Sequence, residues 1–352
     1  MRSVTVKAGK KYEVLIGTGI LDSVSELIAG VTKTKHVIVV SDDNVYPLYG
    51  QTVVKKLEDD GYQVERFVFP HGEASKNLSV FGELQEKMCD AHLSREDLLI
   101  AVGGGVVGDL AGFAAATYQR GIPFVQIPTT LLAAVDSSVG GKTAVDLPNG
   151  KNQVGCFYQP SLVICDPATL ATLPDTEYRH GCAEIIKYGV LDSEELFEKI
   201  LQKPVCEQYE EIIERCVSIK RDYVEEDEFD RGKRMLLNYG HTIAHAIEAC
   251  SRYEIPHGQA VAIGMVMITK ASAAKGLCDP ELAKRVENIV RAYGLPYETG
   301  FAKEDLSEAG MADKKNTSDS VRLVIPEAIG GCTVRRIPRA EFISWLQEGG
   351  AV

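Results

Sequence analysis

Residues 98–118, with the sequence LLIAVGGGVVGDLAGFAAATY, decide the fold. An apolar run is followed by three consecutive glycines and then by small apolar residues with Asp109 among them. A helix that spans a bilayer needs about 20 mainly apolar residues, and the central glycines and the carboxylate interrupt this run. The stretch therefore predicts a buried strand over residues 98–102, a glycine turn, and a helix over residues 109–118.

The sequence on either side of this stretch repeats the same alternation. Apolar runs at 37–40, 64–69 and 124–127 predict strands, and helical patterns at about 44–60 and 78–92 separate them. Residues 4–6 and 12–16 alternate apolar and polar side chains, which predicts an initial hairpin. Nearly continuous apolar strands that alternate with helices indicate a parallel sheet covered on both faces.

The pattern changes after about Pro174, where helical periodicity dominates. We expect an α/β N-terminal Rossmann-like domain with a parallel sheet over residues 1–174. A mainly α-helical C-terminal domain would follow over residues 175–352, with β-like stretches only at 322–325 and 333–336. The predicted helices cover residues 177–189, 193–201, 207–228, 235–251, 258–275 and 280–293.

The charge and the cysteines exclude several classes of protein. The chain has 352 residues, with Lys+Arg 38 and Asp+Glu 50, which gives 38 − 50 = −12. Such an acidic chain does not suit a protein that coats nucleic acid or an anionic membrane. Nine cysteines without a C-x-x-C pair favour reduced thiols. The N-terminus has no continuous apolar run, so we expect no signal peptide and a cytoplasmic protein.

The glycines after the third strand are the first candidate site. Gly103, Gly105 and Gly108 satisfy G-x-G-x-x-G, which lets a pyrophosphate approach the backbone at a helix N-terminus. The acidic residue usual about 20 positions later is missing, so a tight structural turn remains an equal alternative. Other polar residues at predicted strand ends favour dinucleotide binding; they are Asp42, Asn44, Glu73, Lys76, Thr129 and Thr130.

A histidine cluster is the second candidate site. His241 and His245 are four residues apart on one predicted helix, so their side chains share a face. His257 lies at the probable start of the next helix, and a short loop between antiparallel helices would bring it near His241. Imidazoles suit zinc, and a catalytic zinc needs three protein ligands.

A carboxylate would complete this metal site. Glu184 lies in an apolar segment of a predicted helix, and a buried carboxylate must be paired or bound to a metal. An internal ion pair with Lys187 is the equal alternative, because the two residues are three positions apart. Glu248 shares the face of the histidines and is expected to contact one of them without being a ligand.

A third site combines glycines with cations. Residues 140–143 read Gly-Gly-Lys-Thr, but a P-loop would need a glycine at Ser137, so triphosphate hydrolysis is disfavoured. Several cations lie among apolar or polar neighbours rather than acids, although any one of them is ordinarily a solvated surface residue. They are Arg120, Lys142, Lys151, Lys187 and Arg234.

Long blocks of the chain resemble the 3-dehydroquinate synthase family. They are GGGVVGDLAGFAAATYQRG (103–121), IPTTLLAAVDSSVGGKTAVD (127–146), GKNQVGCFYQP (150–160), GCAEIIKYGVL (181–191), LNYGHTIAHAIE (237–248) and HGQAVAIGM (257–265). The resemblance implies the shikimate-pathway conversion of 3-deoxy-D-arabino-heptulosonate 7-phosphate into 3-dehydroquinate and phosphate, a carbon–oxygen lyase reaction. The implied steps are transient oxidation by NAD, phosphate elimination, re-reduction, ring opening and aldol closure.

The resemblance also implies cofactors, partners and residue roles. NAD and a divalent metal, Zn²⁺ or Co²⁺, would be bound by a homodimer whose partner is a phosphorylated sugar acid, and the domains would close on substrate. The implied metal ligands are Glu184, His241 and His257. The implied substrate contacts are Asp136, Lys142, Asn152, Lys187, Arg234, Asn238 and His245, with Arg120 as a phosphate-binding cation that the dimer partner can supply.

The implied NAD contacts are Asp42, Asn44, Glu73, Lys76, Gly104, Gly105, Asp109, Thr129, Thr130, Lys142, Lys151, Thr172, Leu173 and Glu177. Lys314 and Lys315 resemble a late lysine motif, and the sequence does not decide which of them faces substrate. Ala244 stands where many members have glycine, and we expect a packing adjustment there.

Three other functions are compatible with parts of the pattern. A related sugar-phosphate cyclase would share the architecture, but Asn238 and residues 140–142 favour 3-dehydroquinate synthase by resemblance. A metal-dependent polyol dehydrogenase would produce net NADH and would not need the cations. A non-enzymatic binding protein would have scattered polar residues, and the set Glu184, His241 and His257 argues against it.

Overall fold

The computed structural model describes residues 1–311 and 319–352. The strands are β1 (Arg2–Ala8), β2 (Lys10–Ile16), β3 (His36–Asp42), β4 (Gln63–Phe69), β5 (Leu98–Gly103), β6 (Phe124–Pro128), β7 (Lys142–Leu147), β8 (Gly150–Phe157), β9 (Leu162–Cys165), β10 (Ser320–Ala328) and β11 (Gly331–Pro338). The helices are α1 (Val24–Ala29), α2 (Gln51–Asp59), α3 (Leu78–Asp90), α4 (Gly105–Thr117), α5 (Asp175–Asp192), α6 (Glu194–Gln202), α7 (Tyr209–Glu226), α8 (His241–Cys250), α9 (His257–Ala274), α10 (Pro280–Ala292), α11 (Lys303–Met311) and α12 (Phe342–Glu348).

The chain forms two compact units. The first contains residues 1–174 and 209–229, and the second contains residues 175–208 and 230–352. The segment 209–229, which the sequence analysis assigns to the second domain, belongs by packing to the first unit. Its helix α7 packs on β1, where Arg2 pairs with Glu214, and Thr18, just after β2, donates to Glu210 at 2.8 Å. The sequence shows the amphipathic helix but not the partner of its apolar face.

A seven-stranded sheet forms the centre of the first unit, in the order β1-β2-β9-β6-β5-β3-β4. The initial hairpin β1–β2 is antiparallel, and the pairs from β2 onward are parallel. Helices cover both faces: Leu84 and Leu110 belong to one buried cluster, while Ile28 and Leu57 belong to the other. The predicted Rossmann-like fold class is confirmed.

This topology places the candidate dinucleotide residues at one edge. Because parallel strands end on the same side of a sheet, the segments after β3, β4, β5 and β6 share the carboxyl edge. The helix after β5 begins at Gly105 rather than at Asp109, so the glycines themselves form its first turn. A second hairpin, β7–β8, joins this region through a bridge between Asn77 and Asp146.

In its described residues, the regular secondary structure of the second unit is helical except for the hairpin β10–β11. The predicted continuous helix over residues 235–251 is wrong: a short 3₁₀ turn, Lys233–Asn238, ends before Gly240, whose φ of 78° separates it from α8. Glycine tolerates this left-handed conformation without the steric cost of a side chain. Helices α8 and α9 approach closely there, because a Cβ on Gly264 would lie 2.2 Å from the Gly240 carbonyl oxygen.

Within the described ranges, no helix has the length and apolar character needed to cross a membrane.

Candidate functional site

Three side chains of the second unit form a candidate metal centre. Glu184 Oε1 lies 3.6 Å from His241 Nε2 and 3.5 Å from His257 Nε2. One ligand atom from each residue lies within 4.8 Å of the others. Two imidazoles and a carboxylate suit a divalent transition metal and leave coordination positions for other ligands. The donor set therefore fits a metal such as zinc.

Neighbouring groups orient both histidines. His241 Nδ1 lies 3.1 Å from the Tyr239 carbonyl oxygen, and His257 Nδ1 lies 3.4 Å from Glu248 Oε1. In the neutral rings these acceptors favour the proton on Nδ1, which would leave each Nε2 to a metal on the side that faces Glu184. Glu248 thus lies beside a histidine, as the sequence analysis expects, and is itself almost fully buried.

The alternative partner of Glu184 is also present. Lys187, which is 3% exposed, forms an ion pair with the Glu184 carboxylate. The predicted ion pair is therefore present, and a metal site remains compatible with it, because Oε1 faces the histidines while Oε2 faces the lysine. The ammonium neutralises a buried carboxylate that would otherwise be costly.

The two histidines differ in their proton affinity. Burial, together with the charge of Lys187, holds the pKa of His241 well below its usual value. Burial also disfavours charged His257, but hydrogen bonds to Glu184 and Glu248 outweigh it and raise the pKa of His257 to about 10. Because a metal binds the neutral imidazole, metal binding would compete with protonation of His257.

His245 is close to the cluster but is not one of the three converging residues. Its ring centroid lies 5.8 Å from that of His241 and 6.5 Å from that of His257. The i,i+4 spacing predicts this proximity but not which histidine contributes a ligand atom. Among the described residues, the candidate group contains Glu184, His241 and His257.

The first unit contains the candidate dinucleotide edge. A Cβ on Gly104 would lie 2.9 Å from Thr130 Cγ2, and one on Gly103 would lie 2.4 Å from Val107 Cγ2. The glycines therefore allow close packing of strand, turn and helix. The buried Thr129 hydroxyl oxygen has no hydrogen-bond partner in the described part of the chain. A backbone open to close approach, an available hydroxyl and a helix N-terminus fit a dinucleotide pyrophosphate.

A buried lysine organises the acidic residues near this edge. Lys76 Nζ lies 2.7 Å from Glu73 Oε1, 3.4 Å from Asp109 Oδ2 and 3.8 Å from Asp146 Oδ1. Burial raises the pKa of Asp109 to about 6, although the Lys76 ammonium favours its charged form. Lys151 Nζ lies 3.9 Å from Glu73 Oε1, so five charged groups form one network.

The remaining residues expected to contact NAD lie at several places. Asp42 Oδ1 accepts hydrogen bonds from the backbone N–H groups of Asn44, at 3.0 Å, and Val45, at 2.7 Å. In the first unit, the hydroxyls of Thr172 and Tyr49 lie 2.6 Å apart, and Leu173 follows directly. In the second unit, Glu177 lies on the first turn of α5.

Asp136 reveals a residue that sequence reasoning missed. Lys220, on α7, donates to the Asp136 carbonyl oxygen at 2.8 Å and forms an ion pair with its carboxylate. Lys220 is 6% exposed and lies on the apolar face of the helix, near Cys216 and Tyr223. A lysine at a core-facing position of an amphipathic helix is the signal that could have identified it.

Arg120 lies in an unusual backbone turn. Gln119, Arg120 and Gly121 have φ values of 48°, 69° and 119°. Non-glycine residues in this region cost about 1–3 kcal/mol each and occur often at functional sites. The Arg120 side chain is exposed. Asn152, another expected substrate contact, has φ of 54°.

The second unit contains four of the expected substrate contacts. Arg234 is 1% exposed on the 3₁₀ turn that precedes α8. The same turn carries Asn238, whose side-chain amide donates to the Met235 carbonyl oxygen at 2.9 Å. Lys187 and His245 lie beside the candidate metal centre. Lys314 and Lys315 fall outside the described residues.

His180 is a second residue that the sequence analysis missed. It is buried on α5, with Nδ1 3.5 Å from Glu177 Oε1. Its Nε2 has no hydrogen-bond partner in residues 1–311 and 319–352. Its position four residues before Glu184, on the same helical face, could have drawn attention to it.

The chain matches known family models and individual proteins. Residues 66–180 match the family model described as 3-dehydroquinate synthase N-terminal, and residues 181–316 match the one described as 3-dehydroquinate synthase C-terminal. A 3-dehydroquinate synthase of Clostridium acetobutylicum is 39% identical over 355 residues, which cover 99% of each chain.

Solved structures show the same fold with ligands bound. A 2-deoxy-scyllo-inosose synthase complexed with carbaglucose-6-phosphate, NAD⁺ and Co²⁺ has a TM-score of 0.88 at 26% identity, covering 99% of this chain and 100% of that one. A 2-epi-5-epi-valiolone synthase from Streptomyces hygroscopicus, with NAD⁺ and Zn²⁺ bound, has a TM-score of 0.88 at 25% identity, covering 99% of each. The matches over nearly the whole chain, together with the two family models, place this chain in the 3-dehydroquinate synthase family.

Proposed function

We propose that the chain catalyses the 3-dehydroquinate synthase reaction, releasing phosphate from 3-deoxy-D-arabino-heptulosonate 7-phosphate as a carbon–oxygen lyase. Membership of the family supports the substrate. The observation that carries the proposal is the convergence of Glu184, His241 and His257, with Tyr239 and Glu248 orienting the two rings.

We further propose NAD and a divalent ion, Zn²⁺ or Co²⁺, as cofactors. When bound, NAD supplies a reversible hydride acceptor and the ion supplies a Lewis acid at the oxygen being oxidised. The ion would be held by Glu184, His241 and His257. The dinucleotide would lie on the glycine turn at Gly104 and Gly105, where the α4 N-terminus faces its phosphates.

The chain's own residues would bind and orient the phosphorylated substrate. Lys187 and Arg234, both nearly fully buried, would bind anionic groups in surroundings that strengthen electrostatic interactions. Lys220 would hold the Asp136 carboxylate in a fixed orientation. His245, beside the metal centre but outside its converging group, would accept or donate a proton.

The assembly and the domain roles are also proposals. A homodimer would supply Arg120, whose exposed side chain on a left-handed turn suits a phosphate contact from a partner subunit. Residues 1–174 would bind NAD, and residues 175–352 would bind the metal and much of the substrate, apart from α7, which packs with the first unit. The cytoplasm would be the compartment, which suits the nine free cysteines.

The product assay tests this function. The purified chain is incubated with the heptulosonate phosphate, NAD and Zn²⁺, and phosphate, NADH and the carbocyclic product are measured. We expect equimolar phosphate and 3-dehydroquinate without accumulated NADH. Stoichiometric NADH would indicate a dehydrogenase instead, and no turnover after metal reloading would refute the proposal. Asp59→Ala, on the exposed surface of α2, is the matched control and should behave as wild type.

A further inference from the structure

Asp146, on β7, joins two segments of the first unit. Its backbone N–H donates to the Lys76 carbonyl oxygen at 2.8 Å, and the residue forms a parallel bridge with Asn77. Its side chain is 15% exposed. The backbone of Asp146 is therefore fixed to the segment that carries Glu73 and Lys76.

The carboxylate of Asp146 contacts the other strand of the hairpin, β8. Oδ1 accepts a hydrogen bond from the Asn152 backbone N–H at 2.6 Å. Asn152 has φ of 54°, a left-handed conformation that costs most L-residues about 1–2 kcal/mol. The register of β7 and β8 shifts between Val145 and Leu147, as in a β-bulge, and such a shift re-aims a side chain. The hydrogen bond therefore helps to fix Asn152 in this less common backbone conformation, which asparagine tolerates better than most residues.

The same carboxylate faces the charged network. Lys76 Nζ lies 3.8 Å from Asp146 Oδ1 and 2.7 Å from Glu73 Oε1. Glu73 Oε1 in turn lies 3.9 Å from Lys151 Nζ, one residue before Asn152. The start of β8 at residues 151–152 is thus attached to segment 73–77 through both Asp146 and Glu73. The contacts of Asp146 and Glu73 therefore hold residues 151–152 and segment 73–77 in a fixed relation to each other.

We propose that Asp146 is a positioning residue that acts through Asn152. Its carboxylate oxygen holds Asn152 at a fixed place relative to Lys76, and so aligns the expected substrate contact with the expected NAD contact. This inference rests on the proposed function, which supplies the roles of Asn152 and Lys76. Because the donor is a neutral N–H group, the acceptor oxygen matters more than the negative charge.

Conservative and disruptive substitutions of Asp146 separate the effect of its acceptor oxygen from the effect of its negative charge. Asp146→Asn keeps an acceptor oxygen and should retain kcat/KM for the heptulosonate phosphate within about 3-fold, whereas Asp146→Ala should lower it at least about 10-fold. Asp59→Ala should leave kcat/KM unchanged. In an Asn152→Ala background, Asp146→Ala should cause no further loss, because residues that act through one another are not additive.

Four results would overturn the proposal. The first three concern kcat/KM: a value for Asp146→Ala within 2-fold of wild type (a threshold of about 0.4 kcal/mol), a value for Asp146→Asn as low as that for Asp146→Ala, or additive losses in the double variant. The fourth is an unchanged exchange rate of the Asn152 amide in Asp146→Ala. Hydrogen exchange is measured without substrate, and protection should be lost in Asp146→Ala but kept in Asp146→Asn. If Asp146→Ala does not fold, Asp146→Ser replaces it, since its shorter side chain removes the carboxylate.

The exchange measurement also separates the two proposals. If wild type releases no phosphate, the proposed function is wrong, and the protection of the Asn152 amide still decides whether Asp146 fixes that residue. If wild type turns over but the Asp146 variants do not differ, only the positioning role is wrong.

Discussion

Glu184 is the residue on which the metal centre depends. It is 2% exposed and faces two histidines on one side and Lys187 on the other. The sequence places Glu184 in a buried helix, but a choice between lysine and metal cannot be made from spacing alone. The structure shows that the two contacts are compatible, because a carboxylate has two oxygens with several acceptor positions.

His257 and His245 are predicted to have different roles. His257→Ala should lose the metal, because it removes one of three ligand atoms. His245→Ala should keep the metal and lose turnover, because His245 is not in the converging group. Metal content by elemental analysis and phosphate release from the heptulosonate phosphate check both. Equal metal loss in the two variants would contradict this division.

Asp109 predicts a pH-dependent difference in stability. Its pKa is about 6 in the folded chain against a usual value of 3.8, so folding favours its protonated form. This contribution is fully present below about pH 3.8 and is lost as the pH rises through 6. The free energy of unfolding of wild type relative to Asp109→Asn should therefore fall between pH 4 and pH 7, by up to about 3 kcal/mol.

The Asp109 comparison is made by denaturant unfolding without NAD, because ligand binding adds its own stabilisation. Using the variant as reference removes the titration of groups that do not interact with Asp109. A wild-type minus variant difference that stays constant across this range would show that Asp109 keeps an ordinary proton affinity.

At the scale of elements, helices α8 and α9 determine the spacing of the histidines. The two helices approach so closely at Gly240 and Gly264 that no side chain fits between them. His241 begins α8 and His257 begins α9, so their separation depends on this packing. The sequence predicts both helices and their proximity. It misses the break at Gly240, because the periodic apolar pattern of residues 235–251 hides a glycine in a left-handed conformation.

Gly264→Ala is predicted to weaken both packing and metal binding. The added Cβ would meet the Gly240 carbonyl oxygen at 2.2 Å, and overpacking of this kind costs about 1–3 kcal/mol. Gly82→Ala, on α3, is the matched control: nothing lies within 4 Å of its Cβ, and removing a helical glycine should stabilise the chain by about 0.5–1 kcal/mol. Unfolding and metal titration measure the two effects, and equal behaviour of the variants would contradict the packing argument.

At the scale of the whole molecule, the order of segments along the chain does not match their packing. Helix α7 follows α5 and α6 in sequence but packs on β1 and on the turn that carries Asp136. A single sequence shows the apolar face of α7 without its partner, so neither the unit of α7 nor the contact of Lys220 with Asp136 could be predicted. The parallel arrangement of β3 to β6 was predictable, because buried strands and helices alternate there.

Cofactor binding is predicted to stabilise the chain through separate sites. Metal at 100 times its Kd should raise the free energy of unfolding by about 2.7 kcal/mol, and NAD should do the same independently. His257→Ala should abolish the stabilisation by metal and retain that by NAD, because His257 lies in the second unit and the glycine turn lies in the first. Thermal unfolding with each ligand alone measures this. Loss of both effects in the variant would contradict separate sites.

In the proposed reaction, NAD acts as a catalyst in phosphate release and is not consumed. The most direct measurement follows phosphate and NADH when NAD is supplied at one tenth of the concentration of the heptulosonate phosphate, with Zn²⁺ present. We predict that phosphate release continues until the substrate is exhausted, many equivalents beyond the NAD supplied, while NADH does not accumulate. If phosphate release stops when it equals the NAD supplied, or if NADH rises in step with product, NAD is consumed and the proposed reaction is wrong.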